Sequence, residues 1–353
     1  MSIEPESSAA PTSAVTPELP ASERASQRPR WVLPTVIAGV VVVLIAAGGI
    51  TFAVLSAQRS PSDTVAAYLD ALVAGESEDA LAQVDGLPDD QRVLLQDAIY
   101  SEAADRISAY TVDEEEVGED SATVTVTLDQ GESEYEQEFA LARVEDADGE
   151  SWKIDAAALP VVNIAFARPD GASLSVNGTD LGDTVVASAP VFPGTYEFLP
   201  TSPTGIVTGD PVPVTATPES TADDLSIVVT PRLSEAGLAA ARAAFDVHLD
   251  ACLAETVIQP VNKCGYGMNQ DGATYSNIRW SAPVRPQVDF PAWNDEKGWE
   301  VVLLDAGHLR LDGDYVEGGS SGTVFLDVKG YQPRGGVRFD DSGTATYVST
   351  YEG

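Results

Sequence analysis

Two histidines, His248 and His308, are the only imidazoles in this 353-residue chain, so the supply of acid–base groups titrating near neutral pH is thin. A catalytic set needs a nucleophile, a base and an orienting group that converge. No H-E-x-x-H, G-x-x-x-x-G-K-[ST] or G-x-G-x-x-G occurs in the sequence. His248 falls four residues before Cys252 and reads as a helix-surface or partly buried side chain. His308 follows Gly307 and reads as a solvated strand edge.

Carboxylates are the other reactive class. Asp113-Glu114-Glu115-Glu116 with Glu119-Asp120 forms a dense run, and Asp146-Ala147-Asp148-Gly149 and Asp312-Gly313-Asp314 are shorter groups. None meets the calcium-loop pattern of alternating Asp ligands closed by a Glu at position twelve. Asp and Gly also build tight turns for backbone reasons alone. No catalytic, cofactor-binding or metal-ligating residue is therefore assigned, and the chain is expected not to be an enzyme.

The two cysteines, Cys252 and Cys264, lack C-x-x-C spacing and have no histidine between them, which argues against metal or redox chemistry. A structural disulfide is expected. Closing a loop of about a dozen residues stabilises by about 3 kcal/mol in the chain-entropy treatment.

The elements that would position these residues follow from composition and period. The chain holds 56 acidic and 19 basic residues, a net charge of −37. Residues 57–160 carry −22 of it, 161–232 carry −6 and 233–353 carry −8. Such a field repels phosphate backbones, so nucleic acid is excluded as a partner. Val32–Leu55 runs 24 residues without a formal charge, enough for a transmembrane helix across a core of about 30 Å. Arg24, Arg28 and Arg30 precede it, so the positive-inside rule puts the N-terminus in the cytoplasm and the remainder outside. The apolar run is too long for a signal peptide. The Pro- and Ser-rich tail before it reads as disordered.

Beyond the span, Ser60-Pro61-Ser62-Asp63 opens a helix with Val65, Tyr68, Leu69, Leu72 and Val73 on one face, ended by Gly75. Further helices are expected over Ser77–Val84 and Asp90–Arg106. The period then falls to two in Ala122–Leu128, and strands follow at Tyr135–Val144 and Trp152–Ile154. Residues 160–232 are turn-rich, with strands expected at Leu174–Val176, Val185–Ala187, Thr195–Leu199, Val212–Thr215 and Leu225–Val229. A helix over Glu235–Ala254 precedes strands at Tyr275–Pro283, Val284–Phe290, Trp299–Leu304, His308–Tyr315, Gly322–Lys329 and Val337–Tyr347.

The segments SPSDTVAAYLDALVAGESEDALAQV, SATVTV and SWKID resemble the cone-shaped nuclear transport factor 2-like fold. GASLSVNGTDLG and VFPGTYEF resemble small PEGA-like sandwich modules and an extracellular domain of the TcaA family of teicoplanin-resistance-associated membrane proteins. That family's cytoplasmic zinc ribbon has no counterpart here, because the tail contains no cysteine. Scarce lysine, 4 against 15 arginines, resembles the usage of actinobacteria.

The expected fold class is a membrane-anchored multidomain chain. It comprises a disordered cytoplasmic tail at 1–31, one transmembrane helix at 32–55 and an α+β cone-like domain at 56–159. A small all-β sandwich at 160–232 and a second helix-plus-antiparallel-sheet domain at 233–353 complete it. A cone cavity would be lined by Tyr68, Tyr100, Phe139 and Trp152 in the first domain, and by Tyr266, Trp280, Trp293 and Trp299 in the last. The apolar span, the modular β-rich sequence and the lack of a reactive set point to a non-enzymatic, single-pass protein of the cell membrane. The bilayer would hold 32–55, and the extracellular modules would bind a cell-envelope protein or polymer as sensor, adaptor or scaffold. The alternatives are a passive spacer and an extracellular enzyme that uses a cone cavity. No cofactor is expected.

Overall fold

The computed structural model describes residues 59–146, 149–184 and 186–351. Helix α1 (Pro61–Ala74) forms where its signals predict. Ser60 Oγ accepts from the Asp63 N–H, and the Asp63 carboxylate accepts from the Ser60 N–H, closing a capping box. Gly75, at φ +82°, ends the helix in the left-handed region. Val65, Tyr68, Leu69 and Leu72 are buried, while Val73 faces outward.

The next two helices are shorter than their apolar spacing implies: α2 covers Ser77–Leu81 and α3 only Asp97–Tyr100. The reason is local. Asp97 Oδ1 accepts from the Ser77 hydroxyl at 2.7 Å and the Glu78 N–H at 2.9 Å, so it caps the neighbouring helix instead of continuing its own. These bonds hold its carboxyl below the usual range, the Ser77 hydroxyl contributing most. The Arg106 guanidinium donates to the carbonyls of Tyr100, Ser101 and Ala103, occupying acceptors that a continuing helix would have used.

Strands β1 (Val84–Asp85), β2 (Ile107–Val117), β3 (Ser121–Gln130), β4 (Ser133–Asp146) and β5 (Gly149–Asp155) form one sheet in the order β1-β5-β4-β3-β2. The acidic run from Asp113 lies on β2, an edge strand; charge on an edge blocks unwanted pairing, which is why no apolar alternation announces it.

The middle of the chain supplies short strands: β6 (Val161–Phe166), β7 (Ser173–Val176), β8 (Thr179–Asp180), β9 (Ser188–Pro190) and β10 (Gly194–Thr201). β11 (Val207–Gly209), β12 (Val212–Ala216), β13 (Ser226–Val229) and β14 (Pro231–Leu233) follow. The strand expected over Val185–Ala187 begins at Ser188, and Val185 lies outside the described residues. One continuous core joins these strands to the helices before them. Tyr68, Tyr100 and Phe192 stack at ring separations of 6.1 Å and 5.1 Å, with Tyr196 and Phe198 buried alongside.

Helix α4 (Glu235–Leu253) is capped by Ser234, whose Oγ accepts from the Gly237 N–H. It packs Ala241, Phe245 and Leu249 against Trp299, Val337 and Tyr347. β15 (Thr274–Val284), β16 (Gln287–Asn294), β17 (Gly298–Asp305), β18 (Gly307–Glu317), β19 (Ser320–Tyr331), β20 (Gly335–Phe339) and β21 (Ala345–Ser349) complete the fold. They divide into a β15-β18-β19 sheet and a β16-β17-β20-β21 sheet. The single strand expected over Val337–Tyr347 is two, because Asp340 accepts from the Ser342 and Thr344 N–H groups and turns the chain.

The expected fold class is corrected by this architecture. The described residues are mostly β-sheet with four α-helices, two of them of five residues or fewer, so the α layer of a cone domain is not built. Among the described residues no helix is long and apolar enough to cross a membrane. Helix α1, at about 1.5 Å per residue, is shorter than a bilayer core. Helix α4 carries Glu235, Arg242, Asp246 and Asp250. The tail, the apolar stretch at 32–55 and its flanking Arg24, Arg28 and Arg30 lie outside the described residues. The single-pass, cell-membrane placement drawn from them does not stand.

Candidate interaction face

The sequence-selected residues separate rather than converge. Cys252 and Cys264 are bonded to each other, and both are buried. Their bond ties the end of α4 to the segment that leads into β15. Trp280 Nε1 donates to the Val257 carbonyl at 2.8 Å, and the Tyr331 hydroxyl donates to the Cys264 carbonyl at 3.1 Å. His248 sits half-buried with Nε2 3.7 Å from Cys252 Sγ and its ring 4.9 Å from that of Tyr347. Burial lowers its pKa, since the charged form loses hydration there. The disulfide sulfur beside it is not a nucleophile, so the pair is structural.

The aromatic residues proposed to line cavities are core. Tyr68, Tyr100, Phe139, Trp152, Trp280 and Trp299 are buried, Trp152 also edging an outer cleft of about 250 Å³ beside Arg143 and Glu150, and Tyr266 stacks between Trp280 and Tyr331. Trp293 is half-buried beneath the Arg338 guanidinium. In the acidic run, Asp113 accepts from the Thr127 hydroxyl at 2.7 Å and Glu115 from the Ser62 N–H at 3.4 Å. Asp148 lies outside the described residues. Among the described residues no group of three or more His, Cys, Asp or Glu side chains is placed to hold a metal ion.

One surface gathers polar and aromatic groups in an ordered way: the outer face of the β15-β18-β19 sheet. Alternation along β18 sends Leu309 and Leu311 into the core and leaves His308, Arg310, Asp312 and Asp314 on the opposite side. The register places Arg279, Asp312 and Phe325 in one row, and Ser281, Arg310 and Asp327 in the next. His308 stands beside Lys329, with its Nε2 3.2 Å from Asp327 Oδ1.

Arg310 grips Asp312 with a fork, Nε and Nη2 donating to the carboxylate at 2.9 Å and 2.8 Å. Its guanidinium also lies 5.6 Å from the centre of the Phe325 ring. The Arg310 hydrogen bond, helped by the charges of Arg310 and Arg279, holds the Asp312 carboxyl below the usual range. Asp314 accepts from the Asn277 amide at 2.7 Å. Phe325 remains 66 % exposed, although the hydrophobic side of the same strand packs Val324, Leu326 and Val328 inward.

The sequence reading took His308 and Asp312-Gly313-Asp314 one at a time and passed over Phe325, Arg279 and Arg310. The available signal was the alternation H-L-R-L-D-G-D, opposed across the Glu317–Ser320 hairpin by T-V-F-L-D-V-K, which sets charged residues and one phenylalanine on a single face. Clefts elsewhere are plainer. One of about 570 Å³ is lined by Leu87, Gln91, Leu159, Val161 and Pro190. Its one carboxylate, Asp155, already accepts from the Ala157 N–H.

No family model matches the chain, and no curated protein or solved structure matches it.

Proposed function

We propose that the protein is a non-enzymatic binding protein that engages a partner protein through the outer face of the β15-β18-β19 sheet. The observation that carries this reading is the row Arg279–Asp312–Phe325, with Arg310 clasping Asp312 and covering one side of an otherwise exposed ring. Arginine and aromatic side chains are the types enriched at the energetic centres of protein interfaces. The fork and the ring hold each other in place, so little side-chain freedom is lost on contact.

A photo-crosslinking side chain at Asp312 tests this in cells of the source organism. It is expected to trap a discrete protein, whereas the same probe at Thr125, on the acidic β2-β3-β4 face, traps none. Truncating Phe325→Ala is expected to weaken capture by about 2 kcal/mol, close to thirtyfold. Equal trapping at both positions, or none at Asp312, refutes the reading.

A further inference from the structure

We infer that β19 is a self-pairing edge: two copies of the chain join antiparallel along Ser321–Lys329 and form one six-stranded sheet. The inference stands on the edge of the sheet and not on what its face binds.

A strand left unpaired on one side is a template for another strand, and proteins blunt such edges with charge, bulges or covering elements. Three other edges among the described residues are blunted or covered. β2 presents Asp113, Glu114, Glu115 and Glu116 in succession. β15 is broken by register shifts between Ser276 and Arg279 and between Ser281 and Val284. Tyr347 on β21 packs against Phe245 of α4. β19 carries its devices at one end only: Asp327, Lys329 and a register shift beside Gly330, while Ser320–Leu326 is free of charge and bulge. It runs 12 residues, is the last strand of its sheet, and keeps unbroken register with β18 from Lys329 to Ser320.

The hairpin fixes which backbone groups are free. Gly318 and Gly319, at φ +56° and +90°, make a two-residue turn between the paired residues Glu317 and Ser320. In such a hairpin the flanking pair exchanges both hydrogen bonds, and every second pair after it does the same. Ser320, Gly322, Val324, Leu326 and Val328 therefore bond to β18. The N–H and C=O groups of Ser321, Thr323, Phe325, Asp327 and Lys329 point to the open edge, and the side chains of these residues lie on the outer face.

The occupant follows from the side chains. An isologous contact must match the strand with itself about a two-fold axis. With the axis at Phe325, Phe325 meets Phe325 of the second copy, Thr323 meets Asp327 and Ser321 meets Lys329. No like charges are opposed, and two aromatic rings pair at the centre, a favourable cross-strand combination. A slip that moves the axis to Asp327 sets two carboxylates against each other, and one that moves it to Thr323 sets Phe325 against Ser321 and loses the ring pair, so charge and the aromatic pair together select the register. The strand also belongs to residues 233–353, net −8, and not to the much denser acidity of residues 57–160, net −22. The remaining repulsion between two chains of charge −37 makes pairing salt-dependent.

The test uses the full chain. Sedimentation velocity is expected to show a doubling of mass that grows as NaCl rises from about 0.1 to about 1 M, where screening shortens from about 10 to about 3 Å. Phe325→Asp, which puts two added carboxylates at the axis, is expected to abolish the dimer and leave the circular dichroism spectrum unchanged. Both native cysteines are already bonded to each other, so a thiol introduced by Phe325→Cys is the only free one. At an opposed Cα spacing of about 5.5 Å it is expected to link two chains under mild oxidation, while Val316→Cys, on β18, is not. A monomer at every salt concentration overturns the inference, as does a dimer that survives Phe325→Asp. A monomer that instead takes a basic strand from another protein on this edge overturns it equally.

Discussion

Removing the Cys252–Cys264 bond isolates one structural term cleanly. The residues are 12 apart in sequence, so the chain-entropy relation assigns the cross-link about 3 kcal/mol, acting on the unfolded ensemble. Both sulfurs are buried, and replacing each cysteine by alanine leaves a small void that adds about 1 kcal/mol. The folded segment keeps its other ties. The Met268 N–H donates to the Ile258 carbonyl at 2.8 Å, the Ser349 hydroxyl to the Lys263 carbonyl at 2.6 Å, and Trp280 and Tyr331 hold Val257 and Cys264. The double variant Cys252→Ala/Cys264→Ala is therefore expected to keep its native near-ultraviolet circular dichroism while losing about 3–4 kcal/mol in urea unfolding. The dependence on urea should steepen, because a chain without the cross-link exposes more surface when unfolded. A loss below about 1 kcal/mol would show that the unfolded loop is already compact and refute the entropic reasoning. A collapsed near-ultraviolet spectrum would show that the bond holds the native loop itself.

Two further substitutions have signs set by the structure. Gly237→Ala lies inside a helix, where alanine is ordinarily favoured by about 1 kcal/mol. A Cβ there would stand 2.4 Å from the Ile206 carbonyl oxygen, which is fixed by accepting the Ser234 N–H, so a net loss of about 1–3 kcal/mol is expected; a raised melting temperature would contradict this. His248 is half-buried against the Tyr347 ring and the Cys252 sulfur, and its folded pKa lies below the unfolded value of 6.5. Its contribution is fully present above that value and is lost as pH falls below it, because the unfolded state takes up the proton first. His248→Gln should flatten the decline in melting temperature between pH 7 and 5.5, roughly the window where histidine changes charge; an unchanged slope would remove His248 as its source.

Much of the local structure was legible because it rests on short-range chemistry. Ser60, Asp63 and Gly75 bound α1 by capping and a left-handed turn, and the period of two in Ala122–Leu128 follows from burying one side of a strand. Cys252 and Cys264 were paired as two closely spaced cysteines in an expected oxidising exterior; the bond is present although that placement does not stand. The failures share a different cause. Leu94, Leu95, Ile99 and Tyr100 are all buried, yet they reach the core from separate turns that side-chain bonds of Asp97 and Arg106 hold apart. No helical period encodes that arrangement. β2 was missed because an edge strand with carboxylates on it carries no apolar alternation. The proposed interaction face was overlooked because Arg279, Arg310 and Phe325 come from three strands, and only the register of the sheet puts them in adjoining rows.

The shared core around Tyr100 and Phe192 also sets a schedule for synthesis. The Tyr100 hydroxyl bonds to the Pro193 carbonyl across 93 residues, Asn177 donates to the Ile99 carbonyl across 78, and Gln130 donates to the Ala216 carbonyl across 86. A ribosome adding about 5–20 residues per second takes about 5–20 s to supply that length of chain. For that interval the nascent α1–β5 segment has Tyr68, Ile99 and Tyr100 without their covering partners, so the first half of this protein must wait, incomplete, for the middle to emerge.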